Sequence, residues 1–237
     1  MRREYVIGAV ALILAFLASF MWTRSVNKNG PIAPATQAAS AAGPAAGGGG
    51  GDAPAMANVQ ATMKKAKDNP GDVDAQIEAF KLEAQIGRYP EAIEYLKQAS
   101  KDDPKDFRFP ATIGNIYFEE KDYPNAEDWY NRALQIKPDE PELLIELGAT
   151  FIERNPPDPD KALKSIQLAL NINPKNAHAL AHLTEAYLLK KDLKSAEDSL
   201  NRIKAADPSN QAISTLQTQI DALKSGKEVV LPSESNN

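Results

Sequence analysis

The sequence predicts an all-α repeat fold, on the basis of two observations. From Ala55 onward, apolar side chains recur at helical spacing, and no segment shows the alternation that is typical of a strand. Prolines also return at a nearly constant interval, which is 34 residues except for one interval of 36. They are Pro70, Pro104, Pro138, Pro174 and Pro208. Because two helices with their turns occupy about 34 residues, this period indicates a solenoid of stacked helical hairpins.

The first 22 residues predict a membrane anchor. Residues 5–22 are 18 residues without a charge, and as a helix they would extend roughly 27 Å, close to the ~30 Å hydrocarbon core of a bilayer. Tyr5 and Trp22, near the two ends, suit the membrane interfaces. The large residues at 20–22 fit a signal-peptidase site badly. We therefore expect an uncleaved signal-anchor helix, with a removed signal peptide as the alternative.

The segment after the anchor, residues 23–54, is rich in Ala, Gly and Pro and includes five consecutive glycines, Gly47–Gly51. Such a run loses too much conformational entropy to hold regular structure. We therefore expect a disordered linker with a reach of roughly 30 Å. The polar residues 227–237 predict a disordered tail.

The basic residues that flank the apolar segment predict its orientation. Arg2, Arg3 and the α-amino group precede it, whereas Arg24 and Lys28 follow it. The positive-inside rule then favours an internal N-terminus. In a bacterium, the chain would be a single-pass inner-membrane protein with its repeats in the periplasm. Repeats that face the cytoplasm are the alternative.

The folded part is predicted to cover residues 55–226, with four units between two end helices. In the second unit, Gly114 and Ala126 should let two helices approach closely, while Tyr117 and Tyr130 fill the remaining space. The predicted segments are a half-unit helix at 55–70, repeats at 73–106, 107–140, 141–176 and 177–210, and a capping helix at 211–226.

This order of small and large residues resembles the tetratricopeptide repeat. In the second unit the matching residues are Gly114, Tyr117, Ala126, Tyr130, Ala133 and Pro138. The third unit follows the same pattern with Gly148, Phe151, Ala162, Ile166, Ala169 and Pro174. The resemblance implies a right-handed superhelical α-solenoid in which the first helix of each repeat lines a concave groove. It also implies a protein that binds other proteins or peptides and does not catalyse a reaction.

The resemblance further places ten residues in that groove. The apolar ones would form a stripe of anchors for an extended or helical client segment. Some family members clamp a C-terminal carboxylate, but Glu142 and Glu146 lie where basic or neutral groups would be needed. The alternative is that the groove residues pack against neighbouring helices or a second copy. The ten are Ile77, Lys81, Arg108, Asn115, Phe118, Ile145, Ile152, His178, Glu185 and Leu188.

Charge and composition argue against several classes of function. The whole chain has a net charge of −5, and residues 53–237 carry −7, which disfavours nucleic acid as a partner. The chain has no cysteine, so disulfides and thiolate sites are excluded. His178 and His182 have the spacing of a helical metal pair, but no third ligand lies at matching spacing. We predict no catalytic residue, no metal and no cofactor.

The sequence therefore predicts a membrane-anchored scaffold or adaptor that recruits protein clients with apolar anchors, and not an enzyme. Two alternatives remain. One is an assembly factor or chaperone for envelope or exported complexes, for instance in cytochrome maturation. The other is a structural protein that forms homo-oligomers.

Overall fold

The computed structural model describes residues 52–227, with side chains from residue 59 onward. The predicted membrane anchor, the predicted linker up to residue 51 and the tail from residue 228 lie outside the described residues. Within residues 52–227, no helix is both long enough and apolar enough to cross a membrane.

The described residues form ten helices and no strand, which confirms the all-α prediction. The helices are α1 (Asp52–Asp68), α2 (Val73–Gln85), α3 (Tyr89–Asp102), α4 (Arg108–Glu119), α5 (Tyr123–Ile136), α6 (Pro141–Glu153), α7 (Pro159–Ile172), α8 (Ala177–Leu189), α9 (Leu193–Ala206) and α10 (Ala212–Lys224). The chain divides into two compact units between Pro104 and Lys105. Unit 1 contains α1–α3, and unit 2 contains α4–α10.

The two helices of each predicted repeat pack against each other as a hairpin, with α2 on α3, α4 on α5, α6 on α7 and α8 on α9. The periodic prolines set where the second helices end. The residues before Pro138, Pro174 and Pro208 are extended, with φ between −146° and −128° and ψ between 85° and 87°. A proline excludes its predecessor from the helical region, so each helix stops there.

Small residues let the paired helices approach closely, as the sequence predicts. A Cβ atom added at Gly114 would lie 2.8 Å from the ring of Tyr130, which is fully buried. A Cβ added at Gly148 would lie 2.5 Å from Cγ1 of Ile166. Each glycine therefore faces a large side chain of the second helix, and the pair fills the space between the two helices.

The last repeat has Thr184 where the two previous repeats have glycine. Its hydroxyl donates to the carbonyl of Leu180 at 2.8 Å and lies 2.9 Å from the hydroxyl of Ser199, and both Thr184 and Ser199 are buried. A polar contact thus replaces the close apolar approach of the earlier repeats. Both hydroxyls are satisfied, so their burial carries little cost.

The turns inside three of the hairpins share one backbone conformation, a residue with a positive φ. Gly87, Lys121 and Lys191 follow the first helix of their repeats, with φ of 77°, 60° and 58°. In the second repeat, the amide of Lys121 donates to Phe118 and the next amide donates to Tyr117. This is a Schellman motif, which satisfies the last carbonyls of a helix through a left-handed residue. The position favours glycine, but two of the three repeats place a lysine there.

Replacement of Lys121 by glycine should stabilise the protein. The left-handed backbone strains a side chain with a Cβ but not glycine, and the entropy that glycine loses offsets part of the gain. We expect Lys121→Gly to raise the free energy of unfolding by roughly 0.5–1 kcal/mol. Chemical denaturation followed by circular dichroism measures this value. Glu120→Gly is the matched control, because φ at Glu120 is −76°. It should be destabilising, and equal effects of the two variants would contradict the explanation.

Unit 1 is held by small residues and one buried amide. Ala66, Ala75 and Ala79 pack together, and Nε2 of buried Gln76 donates to the carbonyl of Ala66 at 2.8 Å.

Helix α1 begins three residues earlier than the predicted Ala55. Its first turn includes Pro54, a position at which a helix needs no amide donor, so the proline does not break it.

Candidate functional site

The first helices of the hairpins in unit 2 form one layer. Helix α6 contacts both α4 and α8, and α8 also contacts α10. Among the described helices of this unit, the second helices α5, α7 and α9 make no comparable contacts with one another. The first helices therefore lie closer together than the second helices. We call the layer of α4, α6 and α8 the inner layer of unit 2.

The apolar residues predicted for the groove lie mostly in the packed interior. In unit 2, Ile145, Ile152 and Leu188 are at most 2% exposed, and only Phe118 is partly exposed. In unit 1, Ile77 is also buried. Helix α6 packs against α5 and α7, and α8 packs against α7 and α9, so side chains that point toward these helices are covered by them. In the structure these four residues form part of the core and do not present an apolar stripe to solvent.

Most of the polar groove residues are engaged within the protein. Arg108 forms a two-pronged pair with Asp106, at 2.8 Å from Nε and 2.7 Å from Nη2. Oδ1 of Asn115 accepts from the hydroxyl of Tyr130 at 2.7 Å. Burial raises the pKa of Tyr130 well above its usual value, so this hydroxyl stays protonated and remains a donor.

The two remaining groove residues outside α8, Lys81 and Phe118, make different kinds of contact. In unit 1, Lys81 forms an ion pair with Glu78 at 2.8 Å. In unit 2, the ring of Phe118 contacts that of Tyr123 edge to face, with 5.6 Å between centroids. Both aromatic side chains are partly exposed. They form an apolar contact surface beside the inner layer.

The inner layer instead presents an acidic cluster, which we call the acidic face. Its carboxylates come from three helices of successive repeats, and their charges act on the same titratable side chains. The acidic face consists of Glu119 on α4, Glu142, Glu146 and Glu153 on α6, and His178, His182 and Glu185 on α8.

A chain of four side chains joins α8 to α6 within the acidic face. Nδ1 of His182 lies 2.7 Å from Oε2 of Glu185, and its Nε2 lies 3.1 Å from Nε2 of His178. Nδ1 of His178 lies 3.9 Å from Oε2 of Glu142. One of the two facing Nε2 atoms must carry a proton for their 3.1 Å contact to be a hydrogen bond. Burial disfavours a charged His182, but its bond to Glu185 and the other nearby carboxylates outweigh this effect and raise its pKa.

Glu146 lies at the centre of the face. It is partly buried, and its carboxylate accepts no hydrogen bond from any residue in the described range. Burial raises the pKa of Glu146, and the charges of Glu142 and Glu119 raise it further, while His178 and His182 act in the opposite direction. The carboxylate has therefore lost part of its hydration without gaining a donor.

Charge is distributed unequally between the two layers of unit 2. Helices α4, α6 and α8 contain five glutamates, no lysine and one arginine, Arg108, which pairs with Asp106. Helices α5, α7 and α9 contain five acidic and six basic residues. The negative charge thus belongs to the inner layer and is not a general property of the unit.

The described residues offer no obvious chemistry beyond this charge. Among residues 59–227, no group of three His, Asp or Glu side chains is arranged to hold a metal ion. The pair of His178 and His182 is occupied by its own hydrogen bonds to Glu185 and to each other.

Comparison with known proteins shows the family. Two sequence profiles, both described as tetratricopeptide repeat, match residues 77–141 and 157–220. Together these matches cover more than half of the 237 residues. The chain belongs to the tetratricopeptide-repeat family. This confirms the resemblance seen in the sequence.

Individual relatives of the tetratricopeptide-repeat family are distant. The chain is 27% identical over 125 residues to the BBSome complex member BBS4 of Bos taurus, a match that covers 53% of this chain and 24% of that protein. The chain thus spans about a quarter of that relative's length.

Solved structures share the fold. One, from Parabacteroides merdae, is a tetratricopeptide repeat protein with a TM-score of 0.62 and 18% identity; the match covers 72% of this chain and 66% of that one. Another is YrrB, a tetratricopeptide-repeat protein with an unusual peptide-binding site. It has a TM-score of 0.56 and 20% identity, and the match covers 74% of this chain and 89% of YrrB.

The family pattern alone did not single out the acidic face. Glu119 and Glu153 were missed, although they occupy the same position in successive tetratricopeptide repeats, 34 residues apart. Glu146 and His182 likewise occupy one repeat position, separated by 36 residues because the third repeat has a longer turn. A comparison of charge at equivalent repeat positions would have found the face.

The histidine chain predicts that stability depends on pH. A group whose pKa is raised in the folded state contributes stability below its unfolded pKa, about 6.5 for histidine, and loses it as pH rises through the folded value. We expect the free energy of unfolding to fall as pH rises from about 6 to about 8. The pKa of Glu146 is also raised, and its contribution has the same sign. Urea denaturation at a series of pH values measures the slope.

The matched variant for this prediction is His182→Gln, which keeps a polar side chain but cannot be protonated in this range. It should flatten the slope between about pH 6 and 8. The other titratable groups that face His182, namely Glu185, Glu146, Glu153 and His178, remain in this variant. An unchanged slope would show that His182 does not carry the effect.

Proposed function

We propose that this protein is a membrane-anchored adaptor that recruits protein clients through the inner layer of unit 2. Tetratricopeptide-repeat proteins are in general scaffolds for protein–protein interaction, and the family assignment supports this class of function. The membrane anchor and the recruitment of a client are the parts that go beyond the family.

The acidic face is the observation that carries the proposal. It presents polar groups from three successive repeats on one side of unit 2, and two of its carboxylates, Glu119 and Glu146, have no hydrogen bond or ion pair with a side chain of the described residues. Carboxylates without a donor in the protein are available to a ligand that carries ammonium, guanidinium or amide groups. The fold neighbour YrrB has a peptide-binding site, which supports a peptide or protein as the ligand.

The sequence supports the anchor. The uncharged residues 5–22 have the length of a membrane helix, and the glycine-rich segment that follows provides a flexible tether. The tether would keep the binding surface within roughly 30 Å of the membrane and raise its local concentration near membrane-embedded partners. We place the repeats in the periplasm of a bacterium.

Site-specific photocrosslinking tests the recruitment of clients. A photoreactive phenylalanine analogue at Phe118, in full-length protein in cells, should give discrete crosslinked products with other proteins. The same analogue at Leu168 is the matched control, because Leu168 is 47% exposed and lies on the second helix α7. Products from Leu168 but not from Phe118 would contradict a binding surface on the inner layer.

A second experiment tests the location. The chain has no cysteine, so Ser40→Cys in the linker introduces a single thiol. A membrane-impermeant maleimide added to intact cells should label this thiol if the repeats are periplasmic. Labelling only after lysis would place them in the cytoplasm.

A further inference from the structure

We propose that the ligand of the acidic face is a protein segment that carries lysine or arginine side chains at intervals of about three residues. The inference rests on the proposed function and names the chemistry of the client. The sequence, in contrast, predicts that the client is bound mainly through apolar side chains.

The inner layer of unit 2 carries an excess of negative charge. The three helices carry five glutamates and no lysine, and their one arginine, Arg108, is already paired with Asp106. The surface therefore attracts cations and repels acidic peptides and nucleic acids. Because the second helices carry a near balance of charge, this attraction is directed to the inner layer.

The carboxylate of Glu146 is a second and independent observation that points to a cationic ligand. This carboxylate is partly buried on the inner layer, and no residue in the described range donates a hydrogen bond to it. A partly desolvated carboxylate without a donor keeps only part of its hydration, and a ligand ammonium or guanidinium group would supply the missing hydrogen bonds. The free protein thus has an acceptor in place for a cationic donor.

The spacing of the helices sets the form of the ligand. Neighbouring packed helices are about 8–10 Å apart, so the three helices of the inner layer span about 18 Å. A chain in the polyproline II conformation rises about 3.1 Å per residue with three residues per turn, so it covers that distance in about six residues and presents every third side chain to the same face. Among residues 59–227, no group of three His, Asp or Glu side chains is arranged to hold a metal ion.

Aromatic side chains add to the fit. Phe118 and Tyr123 are partly exposed beside the acidic face, and the charges of Glu153 and Glu119 reach the hydroxyl of Tyr123. Lysine and arginine pack their aliphatic stems on such rings while their charged ends reach nearby carboxylates. The surface can therefore hold both parts of a basic side chain.

A binding experiment with defined peptides tests the proposal. The probe is a labelled peptide of about ten residues with lysine at every third position, titrated with full-length protein in detergent and followed by fluorescence anisotropy. A peptide of the same length with glutamine in place of lysine is the control ligand. We expect binding of the lysine peptide only, with affinity that falls as ionic strength rises from about 0.05 to about 0.3 M.

Paired variants locate the site. Glu119→Gln with Glu146→Gln should weaken binding of the lysine peptide by about five- to thirtyfold. Asp128→Asn with Asp198→Asn makes the same change in net charge on the second helices α5 and α9 and should leave the affinity unchanged. Circular dichroism shows whether each variant keeps its helices. Because Glu119 is exposed, Glu119→Lys alone provides a second test that does not disturb the interior.

The possible outcomes separate this inference from the proposed function. Equal losses for the two paired variants would overturn the inference, because the attraction would then be non-specific. If the glutamine peptide binds as tightly as the lysine peptide and only the inner-layer variants weaken it, the client surface stands but its cationic ligand is wrong. If neither peptide binds and crosslinking from Phe118 also fails, both proposals are wrong.

Discussion

Ile152→Glu should unfold much of unit 2. The side chain of Ile152 is 2% exposed, so the glutamate would be buried without a partner beside the carboxylates of the acidic face. We expect a loss of at least about 3 kcal/mol in the free energy of unfolding. Urea denaturation followed by far-ultraviolet circular dichroism measures the loss.

The control for this prediction is the same substitution at an exposed isoleucine. Ile172 lies at the end of the second helix α7 and is 49% exposed. Ile172→Glu should change stability by no more than about 0.5 kcal/mol. A native-like stability of Ile152→Glu would show that this side chain reaches solvent, and the apolar groove expected from the sequence would be restored.

Tyr130→Ala should have a similarly large effect. Tyr130 is fully buried, and its ring fills the space that Gly114 leaves between α4 and α5. Removal of a buried aromatic ring costs roughly 3–5 kcal/mol, because the cavity collapses only in part. Tyr130→Phe keeps the ring and loses only the 2.7 Å hydrogen bond to Asn115, so it should cost about 1 kcal/mol. Thermal and urea denaturation of the two variants measure this graded series.

A double-mutant cycle tests the physical reason. Gly114→Ala alone should cost about 1–3 kcal/mol, because its Cβ would lie 2.8 Å from the ring of Tyr130. In the Tyr130→Ala background the ring is absent, so the same Gly114→Ala change should be tolerated. Strictly additive effects of the two substitutions would contradict direct contact between these positions.

The sequence was sufficient to predict the hairpins and their internal packing. A proline acts on its own predecessor, so Pro138 ends α5 through a purely local steric effect. Gly114 and Tyr130 could be matched because their sizes are complementary within one repeat. These features depend on short stretches of chain, which a repeated pattern of residue sizes describes well.

The exposure of the inner layer could not be predicted in the same way. Ile145 and Ile152 are buried on α6, and their burial depends on how closely the helices of neighbouring repeats approach. That distance is set by packing between repeats and is not encoded in the period of any single helix. The chain of Glu185, His182, His178 and Glu142 likewise requires two helices from different repeats.

The unequal charge of the two layers makes unit 2 an electric dipole that points across the repeats. Its negative end is the inner layer, and its other end is the nearly balanced layer of second helices. An anionic lipid surface exerts a torque on such a dipole within about a Debye length, roughly 8–10 Å. For a domain tethered as proposed, this torque turns the second helices toward the bilayer and leaves the acidic face open to approaching partners.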